Sequence, residues 1–319
     1  MTKGPRRARW QAAASYALGL GVLAGVLLYL DRQESLGALV ARYSGRSVAA
    51  GAAGVVVGLL ALSLLQVLMA RSLDVRLGYW ESAALGVVSR GGNIFTPVRA
   101  GTVYRAAYLE GVHQLPIAHY ASLAVGNQAI LFLVGCSVAV VALGARWLAG
   151  SEASGTLLLL ACAGVALVLC GLAFARKVSW SGSWLRLRLA QLVNGLHTLA
   201  RDRAMLCAAV SLRLLALAAN AVVYRVMLTE LGAAAGWWAC ALIAVAAALS
   251  TLSQLVPGGL GVAELVVALL AGSFDVPAPL AVAAVLLYRL CGISLLIMLM
   301  LPSWLWLRRI ERRQLSDES

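Results

Sequence analysis

The chain has 319 residues, of which 62% are hydrophobic and 12% are charged, and its formal net charge is +13. Soluble domains are about half apolar and about a quarter charged, so this composition excludes a water-soluble protein. It indicates an all-α, polytopic integral membrane protein. The basic residues flank apolar segments, as the positive-inside rule describes, and this argues against nucleic-acid binding. The six cysteines and three histidines show no metal-ligand spacing, so we expect no metal and no cofactor.

Apolar segments in the first half predict three spanning helices, at residues 11–30, 47–70 and 115–143. Basic residues precede the first span, so we expect a cytoplasmic N-terminus. Residues 79–111 are too polar for an ordinary span and too apolar for a plain loop. Because Gly91, Gly92 and Pro97 interrupt this segment near its middle, we predict two half-helices that form a re-entrant hairpin on the cytoplasmic side.

The second half predicts three further spans, at residues 156–175, 205–231 and 279–307. The basic segment 176–203 fits either an amphipathic helix on the inner leaflet or a solvated loop. Arginines follow the last span, so the C-terminus is expected to be cytoplasmic as well.

Residues 250–272 contain a second interruption within apolar sequence. Proline lacks a backbone donor and glycine permits angles that a helix interior forbids, so the chain is predicted to break here. A single crossing would place the basic tail outside. The alternatives are a second re-entrant hairpin, which the proline favours, and two crossings with a short second span. The predicted break residues are Pro257, Gly258, Gly259 and Gly261.

The two interrupted regions resemble each other, because a glycine follows the proline four residues later in both, at Gly101 and at Gly261. Each half then holds three spans and one hairpin. Since three is odd, the second half enters the membrane from the opposite side, as in many transporters. The sequence therefore predicts about six spans and two re-entrant hairpins in an inverted-topology repeat. The predicted bounds are a single domain at 1–319, with pseudo-repeats at 11–150 and 151–310.

Glu264 is the clearest candidate for a functional residue, because a carboxylate within an apolar half-helix is costly unless it is paired or hydrated. It could contact a cationic headgroup or couple transport to protons. It could equally be the fixed partner of a buried arginine such as Arg289. Arg99 and Arg105 flank Gly101 and could grip a lipid phosphate, or could simply obey the positive-inside rule.

Further polar residues lie deep in the predicted spans. We assign Arg289 to a cavity, where it would hold the lipid phosphate together with Arg99 and Arg105, and we assign Tyr288 and Asn93 to substrate binding or coupling. Arg213 and Arg225 are interpreted as snorkelling side chains. No nucleophile–base pair or nucleotide-binding motif is present, so we expect a transporter-like protein and not an enzyme.

The motif PGGLGVAE, followed by an apolar run and then by Tyr288 and Arg289, resembles the lysylphosphatidylglycerol synthase/flippase transmembrane domain family. The resemblance implies a stand-alone bacterial inner-membrane flippase domain that moves lipid headgroups and has no soluble aminoacyl-transfer domain. The first half carries a similar signature, formed by Asn93, Pro97, Arg99 and Gly101.

The chain departs from the family pattern at two places. Ala263 precedes the glutamate where the family often has arginine, and Asn127 and Gln128 stand where it often has a Glu-Arg pair. The expected substrate is an anionic or aminoacylated phospholipid. The alternative is a non-transporting scaffold or accessory subunit of a lipid or glycan synthesis system. A homo-oligomer and a partner lipid-modifying enzyme are both compatible with the chain.

Overall fold

The computed structural model describes residues 41–96, 100–148, 150, 155–174, 184–251 and 261–317, together with positions 21, 24, 25 and 28. Ten α-helices lie wholly within this part of the chain, and a 3₁₀ turn at Gly272–Phe274 precedes the last of them. The predicted all-α class is therefore confirmed. The helices are α1 (Gly45–Arg71), α2 (Tyr79–Phe95), α3 (Ala100–His113), α4 (Ile117–Leu148), α5 (Gly155–Phe174), α6 (Trp184–Arg201), α7 (Arg203–Glu230), α8 (Trp237–Ser250), α9 (Val262–Ala271) and α10 (Ala278–Asp317).

Four of the described helices, α1, α4, α7 and α10, are long and apolar enough to cross a membrane. They correspond to the spans predicted at 47–70, 115–143, 205–231 and 279–307. Helix α5 has 20 residues and corresponds to the span predicted at 156–175. The first predicted span, at 11–30, lies outside the described residues apart from isolated positions. The architecture is that of a polytopic helical membrane protein.

Two series of four helices follow the same order of long, short, short and long. Helices α1 to α4 have 27, 17, 14 and 32 residues, and helices α7 to α10 have 28, 14, 10 and 40 residues. At 1.5 Å per residue, α9 covers only about 15 Å, half of the hydrocarbon thickness of a bilayer.

Helices α1 and α7 pack against each other and run in opposite directions. Ser44, before α1, donates its hydroxyl to Glu230 at the end of α7 over 2.7 Å. At the other end of the bundle, Ser72 donates to Asp202 over 2.7 Å. The helices approach closely because α1 presents glycine to α7: a Cβ added at Gly54 would lie 2.6 Å from the Val223 side chain.

The glycines of the first interrupted region have a packing role. A Cβ added at Gly101 would lie 1.9 Å from the backbone oxygen of Ser89, and one added at Gly92 would lie 2.8 Å from the Cα of Gly101. Helices α2 and α3 therefore cross with their backbones in contact. Gly91 and Gly92 are predicted to interrupt this region, but both lie inside the continuous helix α2, so that prediction is wrong. Gly101, also assigned to the break, is the second residue of α3, where it permits the close crossing.

Gly261 does lie at a break. It precedes α9 with φ of +78°, a left-handed conformation that glycine adopts at little cost. The remaining predicted break residues lie outside the described residues, and these are Pro97, Pro257, Gly258 and Gly259.

Candidate functional site

Two adjoining chambers lie among the helices. The first chamber has a volume of about 610 Å³ and is bounded by α1, α2, α3 and α4. The second chamber has a volume of about 490 Å³ and lies between α1, α2, α4, α7, α8 and α10. Volumes of this size are typical of ligand sites. The chambers meet at five residues that line both, namely Leu62, Arg90, Asn93, Asn127 and Gln128.

Three arginines line the chambers. Arg105, in the first chamber, donates to the side-chain oxygen of Gln66. Arg213, in the second chamber, donates to the Asn127 side-chain oxygen over 2.6 Å and is only 7% exposed. Arg90 lines both chambers and has no hydrogen-bond or ion-pair partner among the residues that the structure describes. Arginine stays protonated, and the amide partners of Arg105 and Arg213 carry no charge. The three positive charges are therefore not neutralised by the described residues around them.

Unsatisfied donors accompany these charges. The Nε atoms of Arg105 and Arg213 are buried and make no hydrogen bond within the described part of the chain. Buried polar groups are normally paired, so these donors are free to bind an acceptor that enters the cavity.

No carboxylate offsets the arginines, because none of the described residues that line either chamber is an aspartate or a glutamate. Glu81 lies outside the lining and accepts hydrogen bonds from Tyr108 over 2.7 Å and from the backbone of Gly78 over 3.2 Å. Its carboxylate also lies 2.8 Å from the His113 ring nitrogen. The cavity as described is therefore electropositive.

Glu264 is fully buried and forms an ion pair with Arg289. This is the arrangement predicted by the second of the two alternatives for Glu264, a fixed partner for a buried arginine. Neither residue is among those that line the two chambers. Of the residues predicted to hold a lipid phosphate, Arg105 therefore lies in the cavity and Arg289 lies apart from it, whereas Arg99 lies outside the described residues.

Tyr288 and Asn93, predicted to take part in binding or coupling, both line the cavity. The Tyr288 hydroxyl donates to the Asn220 side chain over 2.7 Å, and its ring packs against the ring of Tyr224. Asn93 joins α2 to α3: its side-chain nitrogen donates to the Thr102 hydroxyl over 2.9 Å, and its side-chain oxygen accepts from the Thr102 backbone over 3.0 Å. Asn93 thus holds α3 on α2 while it forms part of the chamber wall.

The first chamber also has an apolar wall. Leu62, Leu109, Leu123 and Val125 line it together with the polar residues. Val125 lies on α4 and is 46% exposed. A cavity with charged and apolar walls suits an amphipathic ligand.

One family model matches most of the chain. The family model described as lysylphosphatidylglycerol synthase TM region matches residues 16–300 of the chain. The chain belongs to this family. No curated protein matches it. Family membership, together with the long apolar helices, establishes an integral membrane protein.

In this member of the lysylphosphatidylglycerol synthase TM region family, the two amides that replace an expected Glu-Arg pair stand where the chambers meet. Asn127 and Gln128 line both chambers, and Asn127 orients Arg213. Arg213 is interpreted from the sequence as a snorkelling side chain, but its burial against Asn127 makes it a cavity residue. Arg90 has no role in the sequence prediction, although its spacing of three residues from Asn93 places both on one helix face.

Proposed function

We propose that this protein translocates a phospholipid, or a related lipid with a phosphate headgroup, across the bacterial inner membrane. The observation that carries the proposal is the cavity lined by Arg90, Arg105 and Arg213, without a described carboxylate in its walls. Guanidinium groups bind phosphate oxygens in a bidentate manner. The apolar wall that includes Val125 supports the proposal, since it offers a surface for acyl chains beside the charged groups.

The two adjoining chambers support a stepwise path for the lipid phosphate. Arg105 lines the first chamber, Arg90 lines both, and Arg213 lines the second. A phosphate that moved from one guanidinium to the next would keep a charged partner at each step. The proposed activity is transport without a chemical step on the lipid, so it needs no catalytic residue and no cofactor.

The packing of the helices supports an inverted-topology repeat. Helix α10 packs on α2, and α4 packs on α8, which is the same contact with the two series exchanged. Helices α1 and α7, the first of each series, run in opposite directions. We infer that residues 11–150 and 151–310 are the two repeats, that α2–α3 and α8–α9 are re-entrant hairpins, and that both termini are cytoplasmic.

The proposal is tested by reconstituting the full chain in proteoliposomes that contain a fluorescent phospholipid, and by quenching the outer leaflet chemically. The wild-type protein is expected to expose inner-leaflet lipid to the quencher. Arg105→Gln removes a charge-assisted bond to phosphate and is expected to slow translocation about tenfold.

The matched control is Arg71→Gln, which removes one positive charge from the exposed end of α1, outside both chambers. Its translocation rate is expected to equal that of the wild type. If the folded wild-type protein moves no phospholipid, transport is the wrong assignment and the scaffold or accessory role takes its place.

A further inference from the structure

We propose that the lipid that enters this cavity carries more than one negative charge on its phosphate group, as a phosphomonoester or a diphosphate does, and carries no cationic group. This inference rests on the proposed function, because it names the substrate class of the same cavity. The charges that line the two chambers lead to it.

The positive charges in the walls exceed what a phosphodiester can neutralise. Arg90, Arg105 and Arg213 contribute three positive charges, and the last two are oriented by neutral amides. Arg90 lines both chambers, so it shares the first chamber with Arg105 and the second chamber with Arg213. Uncompensated charges away from bulk water are costly. A phosphodiester supplies one negative charge, whereas a phosphomonoester supplies about 1.5 to 2 and a diphosphate supplies more.

A cationic headgroup finds no carboxylate among the described residues that line the chambers. Glu81 and Glu264 are bound to His113 and Arg289. Glu110 follows the lining residue Leu109 on α3, but it is exposed and lies outside the lining. An ammonium group placed among the three arginines would be repelled, so aminoacylated lipids are excluded by charge.

Free phosphate or diphosphate shares this chemistry but does not match the whole cavity. The first chamber has an apolar wall that includes Leu62, Leu109, Leu123 and Val125. An inorganic anion leaves that wall in contact with water, whereas an acyl or prenyl chain covers it. The cavity therefore favours the lipid over the soluble anion.

The test measures the dissociation constants of compounds that share one prenyl tail and differ in the charge of the headgroup. Geranylgeraniol, geranylgeranyl monophosphate and geranylgeranyl diphosphate are titrated into the purified full chain in neutral detergent. Phosphatidylglycerol, lysylated phosphatidylglycerol and inorganic pyrophosphate form the comparison set. We expect affinity to rise about tenfold from the monophosphate to the diphosphate, and the alcohol not to bind. Lysylated phosphatidylglycerol should bind more weakly than phosphatidylglycerol, and pyrophosphate about 100-fold more weakly than the lipid diphosphate.

Two variants connect this charge preference to the cavity. Arg90→Gln removes the charge shared by both chambers and should weaken diphosphate binding about tenfold. Gln128→Glu is nearly isosteric, adds a negative charge at the junction, and should both weaken diphosphate binding and strengthen binding of the lysylated lipid. Arg71→Gln is the control and should change neither. Unfolding midpoints identify any variant that fails to fold.

The results distinguish the charge preference of the cavity from the proposed transport. Affinity that is independent of charge, or tightest for the lysylated lipid, overturns the inference, and translocation in proteoliposomes would then leave the proposed function intact. Equal binding of pyrophosphate and lipid diphosphate overturns the preference for a lipid. If affinity rises with the charge of the headgroup and depends on Arg90, but the protein moves no lipid in proteoliposomes, transport is contradicted and the binding site is supported. If Gln128→Glu changes neither the affinity for the diphosphate nor the affinity for the lysylated lipid, the charge of this cavity does not select the ligand.

Discussion

Breaking the ion pair between Glu264 and Arg289 should destabilise the protein far more than replacing both partners. The Glu264 carboxylate is 0% exposed and lies in the short helix α9, and the Arg289 side chain is 18% exposed on α10. Arg289→Gln leaves the carboxylate buried without its counter-charge, and its second oxygen already has no hydrogen-bond partner among the described residues.

The expected magnitudes follow from this difference in burial. Removal of one partner from a buried pair costs about 3–5 kcal/mol, so Arg289→Gln should lower the free energy of unfolding by about that amount. Glu264→Gln should cost less, because the partly exposed guanidinium can reach a more polar environment. The double replacement Glu264→Leu with Arg289→Met should lie within about 1 kcal/mol of the wild type, because apolar side chains of similar volume replace both charges.

Titration with SDS, followed by tryptophan fluorescence, measures these free energies in one mixed-micelle system. Because the pair lies outside both chambers, the double variant should also retain translocation in proteoliposomes. A double variant that loses the sum of the two single effects would refute this reasoning. A stable double variant that no longer moves lipid would instead assign the pair to transport.

Two other predictions concern the crossing of α2 and α3 and the hydrogen bonds of Asp202 at the start of α7. Gly101→Ala should lower the free energy of unfolding by about 1–3 kcal/mol in the same titration, because the added Cβ meets the α2 backbone. The control is Gly111→Ala in the same helix, where nothing lies within 4 Å of the added Cβ, and it should be neutral or stabilising. The Met205 backbone N–H and then the Ser72 hydroxyl lower the pKa of Asp202, so its ionised form stabilises the fold above the unfolded pKa. That contribution is lost as pH falls through the lower folded pKa, so unfolding midpoints of Asp202→Asn should fall less in acid than those of the wild type.

The long helices could be predicted from the sequence because an apolar run of sufficient length is itself the signal for a span. The short helices could be predicted because proline and glycine interrupt such runs. The packing role of Gly101 could not be predicted, because glycine can either break a helix or let two backbones touch. Only the contact with the Ser89 backbone shows the second use. The pairing of Glu264 with Arg289 was one of two overlapping alternatives, and the structure shows the pair. Whether the pair opens during transport stays a prediction.

The charged cavity was the least predictable feature. Arg213 meets Asn127 across 86 positions of sequence, and such a contact depends on how α4 and α7 pack. Arg90 gave a local signal, because an arginine between apolar helices is a functional candidate by default and Asn93 lies one turn away. Arg105 was assigned to phosphate binding from its place beside the interruption, and the structure places it in the first chamber.

The most direct test of lipid entry is photo-crosslinking with a phosphatidic acid that carries a diazirine next to its phosphate. The full chain in proteoliposomes is irradiated, digested and mapped by mass spectrometry. We expect crosslinks on the chamber walls, at α1 near Leu62 and at α4 near Gln128, and we expect Arg90→Gln to reduce them. Crosslinks confined to the exposed apolar surface of α5, where Leu159 and Leu167 lie, would contradict entry of the lipid phosphate into the cavity.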